Sequence, residues 1–136
     1  MSDLTRTTLA IEKDLLEKFD QWMAGHGYVN RSEAVRDLMR SALVQKEWSS
    51  PSAKVVATLS IIYDHADHTL AQELTDMQHE EHHAIMCSQH VHLDHQRCLE
   101  SILLSGPVRQ LRRIADRIIA RRGVKLGKLV LLSSSV

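Results

Sequence analysis

Several things that ordinary folds use freely are scarce in this chain. Aromatic residues make up 4% of it, with a single phenylalanine, so a core of stacked rings is excluded and Leu, Ile, Val, Ala and Met must do the packing. There are two cysteines, Cys87 and Cys98, too few for a disulfide framework. The expected compartment is therefore the reducing cytoplasm, where a thiol is free to bind metal. No apolar run approaches the ~18 residues that span a bilayer, and the N-terminus lacks an apolar signal segment, so no membrane partner is expected. An excess of one charge is missing too. The 17 Lys and Arg equal the 17 Asp and Glu, which argues against a globally basic nucleic-acid binder and against an acidic tail. No Ser/His/Asp set and no Gly-rich phosphate loop stands out, and nothing calls for a small organic ligand.

Histidine, by contrast, is abundant and clustered. Of nine histidines, six (His79, His82, His83, His90, His92 and His95) fall between positions 79 and 95. The 136 residues suffice for one domain or two small ones. The stretch WSSPSA at 48–53 combines Ser, Pro and a lone Trp between two patterned regions, which reads as a linker. The expected division is a first domain over 1–48, a linker over 49–53 and a second domain over 54–136.

The first 48 residues read as strand, helix, helix. RTTLAI at 6–11 alternates, with Thr7, Leu9 and Ile11 on one side and Arg6, Thr8 and Ala10 on the other. Ile11, Leu15, Phe19, Trp22 and Met23 then recur at helical spacing, and Gly25 and Gly27 can end that helix. Asn30 and Ser32 are candidate caps for a second helix carrying Ala34, Val35, Leu38, Met39, Ala42 and Leu43 on one face.

A lone strand leaves its backbone N–H and C=O groups without partners, and a unit this small buries too little apolar surface to stand alone. Pairing two copies, strand to strand, removes both defects. The resulting two-stranded ribbon would present Arg6, Thr8 and Ala10 outward, a shape that enters the DNA major groove, where Arg can bond a guanine edge. The free N–H groups near Asn30, Arg31 and Ser32 suit a phosphate. The plainer alternative is a dimerisation module with an edge strand. Through residue 50 there are seven basic residues (Arg6, Lys13, Lys18, Arg31, Arg36, Arg40, Lys46) against eight acidic ones (Asp3, Glu12, Asp14, Glu17, Asp20, Glu33, Asp37, Glu47). Non-specific attraction to DNA is thus modest, and binding must lean on specific contacts or an added factor.

From 54 onward the pattern predicts β-α-β-β-α-β: KVVATLSIIYDH, a helix through HTLAQELTDMQHEEHH, the pair AIMCSQHVHL and CLESILLSG around the turn DHQR, a helix in PVRQLRRIADRIIARRG, and VKLGKLVLL. Pro107 suits that helix's first turn and Gly123 its stop. The order is ferredoxin-like, giving an α+β chain overall.

The hairpin carries the chemistry. Pairing His92 with Cys98 sets His90 opposite Glu100, and the strand period of two puts all four on one face. Opposed Cβ atoms lie ~5 Å apart and metal bonds to N or S span ~2 Å, so His90, His92 and Cys98 can reach one ion. Glu100 can accept the second ring N–H of a ligating histidine. The other face, with Val91, Leu93, Leu99 and Leu103, is expected to pack under the helices, and Cys87, of opposite parity to His90, is expected to face the core. His95 in the turn reads as plain surface. The alternative to a metal site is a set of histidines on a solvated face. Two imidazoles and a thiolate suit Zn, Ni or Cu, with His79 the leading fourth donor. His79-Glu80-Glu81-His82-His83 also satisfies the HExxH pattern of zinc proteases, but it falls at a helix end and no third ligand follows at the usual spacing, since position 89 is Gln.

Two sets of residues together resemble a known family. RTTLAIEKDLLEKFDQW followed by GYVNRSEAVRDLMRSAL is similar to the N-terminal module of ribbon-helix-helix repressors. QHEEHH, then HVH, then five residues and Cys resembles the nickel-responsive regulator branch. The resemblance covers nearly the whole chain. It implies a ferredoxin-like metal-binding domain behind the DNA-binding one. It also implies Ni(II), one per subunit, in a square-planar site of His90, His92 and Cys98 from one subunit and His79 from a neighbour. It further implies a homotetramer built as a dimer of dimers, palindromic operator DNA as partner, and repression of nickel uptake rather than catalysis. Family members use acidic residues of the second helix, here Glu33 and Asp37, near a cation. Glu80 and Glu81 depart from the family's run of histidines, and Ala10 stands where a polar outward residue is usual. The competing class is a metal buffer without regulatory DNA binding.

Overall fold

The structure, a computed structural model, describes residues 3–133. Among them run α1 (Lys13–Gly25), α2 (Arg31–Trp48), β1 (Lys54–Asp64), α3 (His68–Glu80), β2 (Ile85–His92), β3 (Arg97–Pro107), α4 (Val108–Ile119) and β4 (Val124–Leu132). The chain forms two compact units, which divide between Ala42 and Leu43.

The first unit holds α1 and the first turns of α2. Asn30 caps α2, its Oδ1 accepting from the Glu33 N–H at 2.9 Å; such a cap contributes about 1 kcal/mol. Arg31 donates two hydrogen bonds to Asp20, at 2.8 and 2.7 Å, which tie the helices together. Met23 and Ala34 are the buried apolar side chains here, while Leu9, Ile11, Leu15, Leu38 and Met39 remain exposed. Residues 3–12 adopt no regular secondary structure. The strand expected at 6–11 is thus not formed within one chain. Strand pairing needs a facing backbone, and each strand among the described residues is paired in the sheet of the other unit.

The second unit is a four-stranded antiparallel sheet in the order β2-β3-β1-β4, which with α3 and α4 gives the expected βαββαβ arrangement. Alternation in β1 buries Val55, Ala57, Leu59, Ile61 and Tyr63 on one face. Onto that face pack Leu70, Leu74 and Met77 from α3 and Leu111, Ile114 and Ile118 from α4. Asp67 caps α3, its Oδ1 accepting from the Leu70 N–H. Gly127 marks the closest approach of α4 to the sheet, since a Cβ there would sit 2.5 Å from Ile119 Cγ1. Gly123, at φ +101°, turns the chain from α4 into β4, a conformation L side chains rarely adopt.

Segment 49–53 is hydrogen-bonded to the start of α4: Val108 N–H donates to Ala53 O and Arg109 N–H to Pro51 O, both at 2.9 Å, and Trp48 packs against the core of the second unit. Two local expectations are corrected. The helices cover the face that carries Cys98 and Glu100, both 1% exposed, and not the face of Val91, Leu93 and Leu103, which are 38–46% exposed; half-buried Leu99 shares that helix-free face. Cys87 is exposed rather than in the core. The regular register that sets His90 opposite Glu100 runs on to pair Cys87 with Leu103, and so Cys87 lies with Leu103 on the helix-free face.

Candidate metal centre

β2 is an edge strand and β3 lies beside it in the sheet interior. Their register pairs His92 with Cys98 and His90 with Glu100. β1 completes the layer from the other side, with Tyr63 opposite Cys98 and Ile61 opposite Glu100. Two imidazoles on an accessible edge therefore stand beside a thiol and a carboxylate that are both buried.

Glu100 is the hub. Its Oε1 accepts from Gln78 Nε2 at 2.7 Å and lies 3.3 Å from His90 Nε2. Its Oε2 accepts from the Tyr63 hydroxyl at 3.1 Å, and that hydroxyl is also 3.4 Å from His90 Nδ1. Burial chiefly, and then the Cys98 thiol and the Glu100 carboxylate beside it, push the Tyr63 phenol above its ordinary range. Tyr63 therefore stays a neutral donor to Glu100. The ring of His92 meets that of His65 edge-on at 5.0 Å.

The residues proposed as ligands are not equally placed. His90, His92 and Cys98 share one face of a hairpin, whereas His79 sits in the last turn of α3, immediately after the Gln78 that reaches Glu100. Among the described residues no three His, Cys, Asp or Glu side chains converge as a metal-holding group. The geometry explains why: both ring nitrogens of His90 already face protein groups, so ligation requires the ring to turn one of them outward. The donor types fit a borderline transition ion such as Ni(II).

Two members of the site, Tyr63 and Gln78, escaped sequence reasoning. Gln78 adjoins His79 in sequence, which was a usable signal. Tyr63 had none, because its place depends on β1 lying next to β3.

The remaining candidates fall as follows. Arg6, Thr8 and Ala10 are exposed on the irregular N-terminal segment. Asn30 is engaged as a cap, Arg31 is engaged by Asp20, and Ser32 is exposed. Asp37 accepts from Tyr28 at 3.0 Å through one oxygen and from Arg40 at 2.8 Å through the other, so its carboxylate is not free for a cation; Glu33 is exposed. The protease pattern dissolves. α3 ends at Glu80, so His79 and His83 do not share one helical face, and Glu80 is paired with Arg117 at 3.3 Å.

Residues 56–132 match the family described as the NikR C terminal nickel binding domain. Over 134 residues, 98% of this chain and 96% of the relative, the chain is 46% identical to a nickel-responsive regulator of Solibacter usitatus. It is 45% identical to one of Solidesulfovibrio magneticus over the same shares. Identity to one of Thermococcus kodakarensis is 43%, covering 94% of this chain and 93% of the relative.

Proposed function

This chain belongs to the family of nickel-responsive regulators, which are not enzymes, and from that premise we propose that it is a metal-dependent repressor of transcription. Two N-terminal units pair through residues 6–11 into a ribbon. Arg6, Thr8 and Ala10 face the bases of one half of a palindromic operator, and Asn30, Arg31 and Ser32 lie near the phosphates. The exposed Leu9, Ile11, Leu15, Leu38 and Met39 support this, because such apolar surface is what an interleaved partner would cover.

The second units assemble into a tetramer that binds one Ni(II) per subunit through His90, His92 and Cys98 of one chain and His79 of a neighbour. The observation that carries the reading is the register of His92 with Cys98 and His90 with Glu100 on a buried face at a sheet edge. A bound ion would supply strong, directional bonds between donors of different chains. Gln78 and Tyr63 fix Glu100, and Glu100 orients the His90 ring. Orientation of this kind is typically worth about 10–100-fold in metal affinity. The helix-free sheet face, with Val91, Leu103, Val130 and Leu132 exposed, supports a further contact between copies.

For metal to govern DNA binding, the DNA-competent arrangement must hold it more tightly than the others do. Operator DNA must then tighten metal binding by the same factor. The test is a DNA-binding titration with Ni, Cu, Zn and Co in parallel, on wild type and Cys98→Ala. Ni-dependent operator binding is expected in wild type and none in the variant. A variant that behaves as wild type refutes the ligand assignment. Metal uptake without sequence-selective DNA binding would make the protein a metal buffer. Nickel uptake genes are the proposed targets.

A further inference from the structure

We propose that Glu81, gripped by two arginines of α4, is a positioning residue for the metal donor His79. The inference rests on the reading that His79 serves a neighbouring chain's site. A donor that reaches out of its own subunit cannot be held by the ligands it meets there until metal binds. Something in its own chain must hold it beforehand.

Three residues after Gln78 the chain leaves α3. Glu81 is its C-cap, and its backbone ties two elements together. The Glu81 N–H donates to Met77 O at 3.3 Å, while its carbonyl accepts from Ala84 at 2.9 Å and Ile85 at 3.0 Å. The same residue thus closes the helix of His79 and opens β2, the strand of His90 and His92. Its side chain is buried, 6% exposed, and carries a carboxylate. Arg113 Nη2 lies 3.0 Å from Oε1 and 3.2 Å from Oε2, and Arg117 Nη1 lies 3.1 Å from Oε1. Arg113 and Arg117 are four apart, on one face of α4. Arg117 also reaches Glu80 at 3.3 Å, and Gln110 of α4 is hydrogen-bonded to His83. Four consecutive-turn contacts therefore anchor residues 80–83 to α4, whose opposite side is sunk in the core through Leu111, Ile114 and Ile118.

The pairing also decides what Glu80 and Glu81 do not do. Carboxylates beside a donor histidine look like extra ligands. Here both oxygens of Glu81 face guanidinium groups, which repel a cation. A buried carboxylate that lost these partners would be left uncompensated, so the grip is strongly favoured. Its consequence is mechanical: the end of α3 is fixed against a helix packed on the sheet that carries the other three donors. Donor sites demand placement within about half an ångström.

The test measures Ni(II) affinity of the full chain by competition with a chelator, alongside metal-free thermal unfolding and the thiolate-to-nickel absorption band. Glu81→Ala and the double change Arg113→Gln with Arg117→Gln are each expected to weaken Ni(II) by about 10–100-fold, while the Cys98-derived band persists at saturation. Arg113→Lys with Arg117→Lys should recover most of the affinity, which loss of fold stability alone would not predict. Should Glu81→Ala fail to fold, the arginine pair decides, since those side chains are 52% and 42% exposed and tolerate replacement. His79→Ala runs in parallel. Folded variants with unaltered affinity, beside a weakened His79→Ala, overturn the positioning role alone. An unaltered His79→Ala overturns the donor assignment and the positioning role with it.

Discussion

The N-terminal segment at 6–11 and the hairpin at 85–107 carry equally clear strand patterns, yet only the hairpin is a pair of strands. In the hairpin, β2 finds β3 after a short turn, and β1 flanks β3 on its far side. The ladder between β2 and β3 is closed within one chain. The N-terminal segment alternates as well but has no facing strand in its own unit, and it remains irregular. Alternation states which side chains would share a face. It does not supply the second backbone. The same contrast runs through the packing: the second unit closes a core over one sheet face, leaving Val91, Leu103, Val130 and Leu132 exposed on the other, while the first buries Met23 and Ala34 and exposes Leu15, Leu38 and Met39. One region closes a core within its own chain and the other closes almost none.

That comparison can be stressed at several points. The largest expected effect is in the self-sufficient unit. Leu74→Ala, at a side chain 1% exposed in the core, should cost about 2–5 kcal/mol, read as a lowered denaturant midpoint of the second unit. A loss well below that range would mean the core is not closed within one chain. Next comes Arg6→Ala in the first unit. It should lower operator affinity by about 1–3 kcal/mol, the worth of a good base contact, with Ni(II) affinity in calorimetry unaltered. Loss of both together would sink the separation of the two regions.

The smallest effect is electrostatic and sits on the surface of the first unit. Asp20 is held below its ordinary value chiefly by the hydrogen bonds from Arg31. Because the folded state prefers the ionised carboxylate, its contribution is present above the ordinary aspartate pKa of 3.8 and fades as pH falls through the lower folded value. Helicity of the first unit followed by circular dichroism should show an acid-side loss that Asp20→Asn removes. A second effect on the same pair would come from DNA. Arg31 must loosen from Asp20 to meet a phosphate, so Asp20→Asn should bind operator at least as well as wild type.

Much of the site was legible because hairpins are local. A turn of four residues between HVHL and CLES leaves few registers, and the one that opposes His92 and Cys98 is the one found. What parity could not give was the identity of the covered face. The helices lie over Cys98 and Glu100, so the proposed donors border a core, and Val91, Leu93 and Leu103 turn outward. Cys87 falls under the same limit: its parity, opposite to His90, was legible, but the face it shares with Leu103 is the uncovered one. The Glu81 grip shows a second limit, since it joins residues 32 and 36 positions apart.

By itself, then, the amino-acid order determined the succession of helices and strands from Lys13 onward, the hairpin pairing and the candidate donor types, because each depends on spacing within a few residues. Only the tertiary structure decided which sheet face is roofed, that Tyr63 and Gln78 converge on Glu100, and that α4 holds the end of α3. Those depend on which distant segments become neighbours, a choice made by the burial of all the apolar faces at once and not by any one stretch of chain.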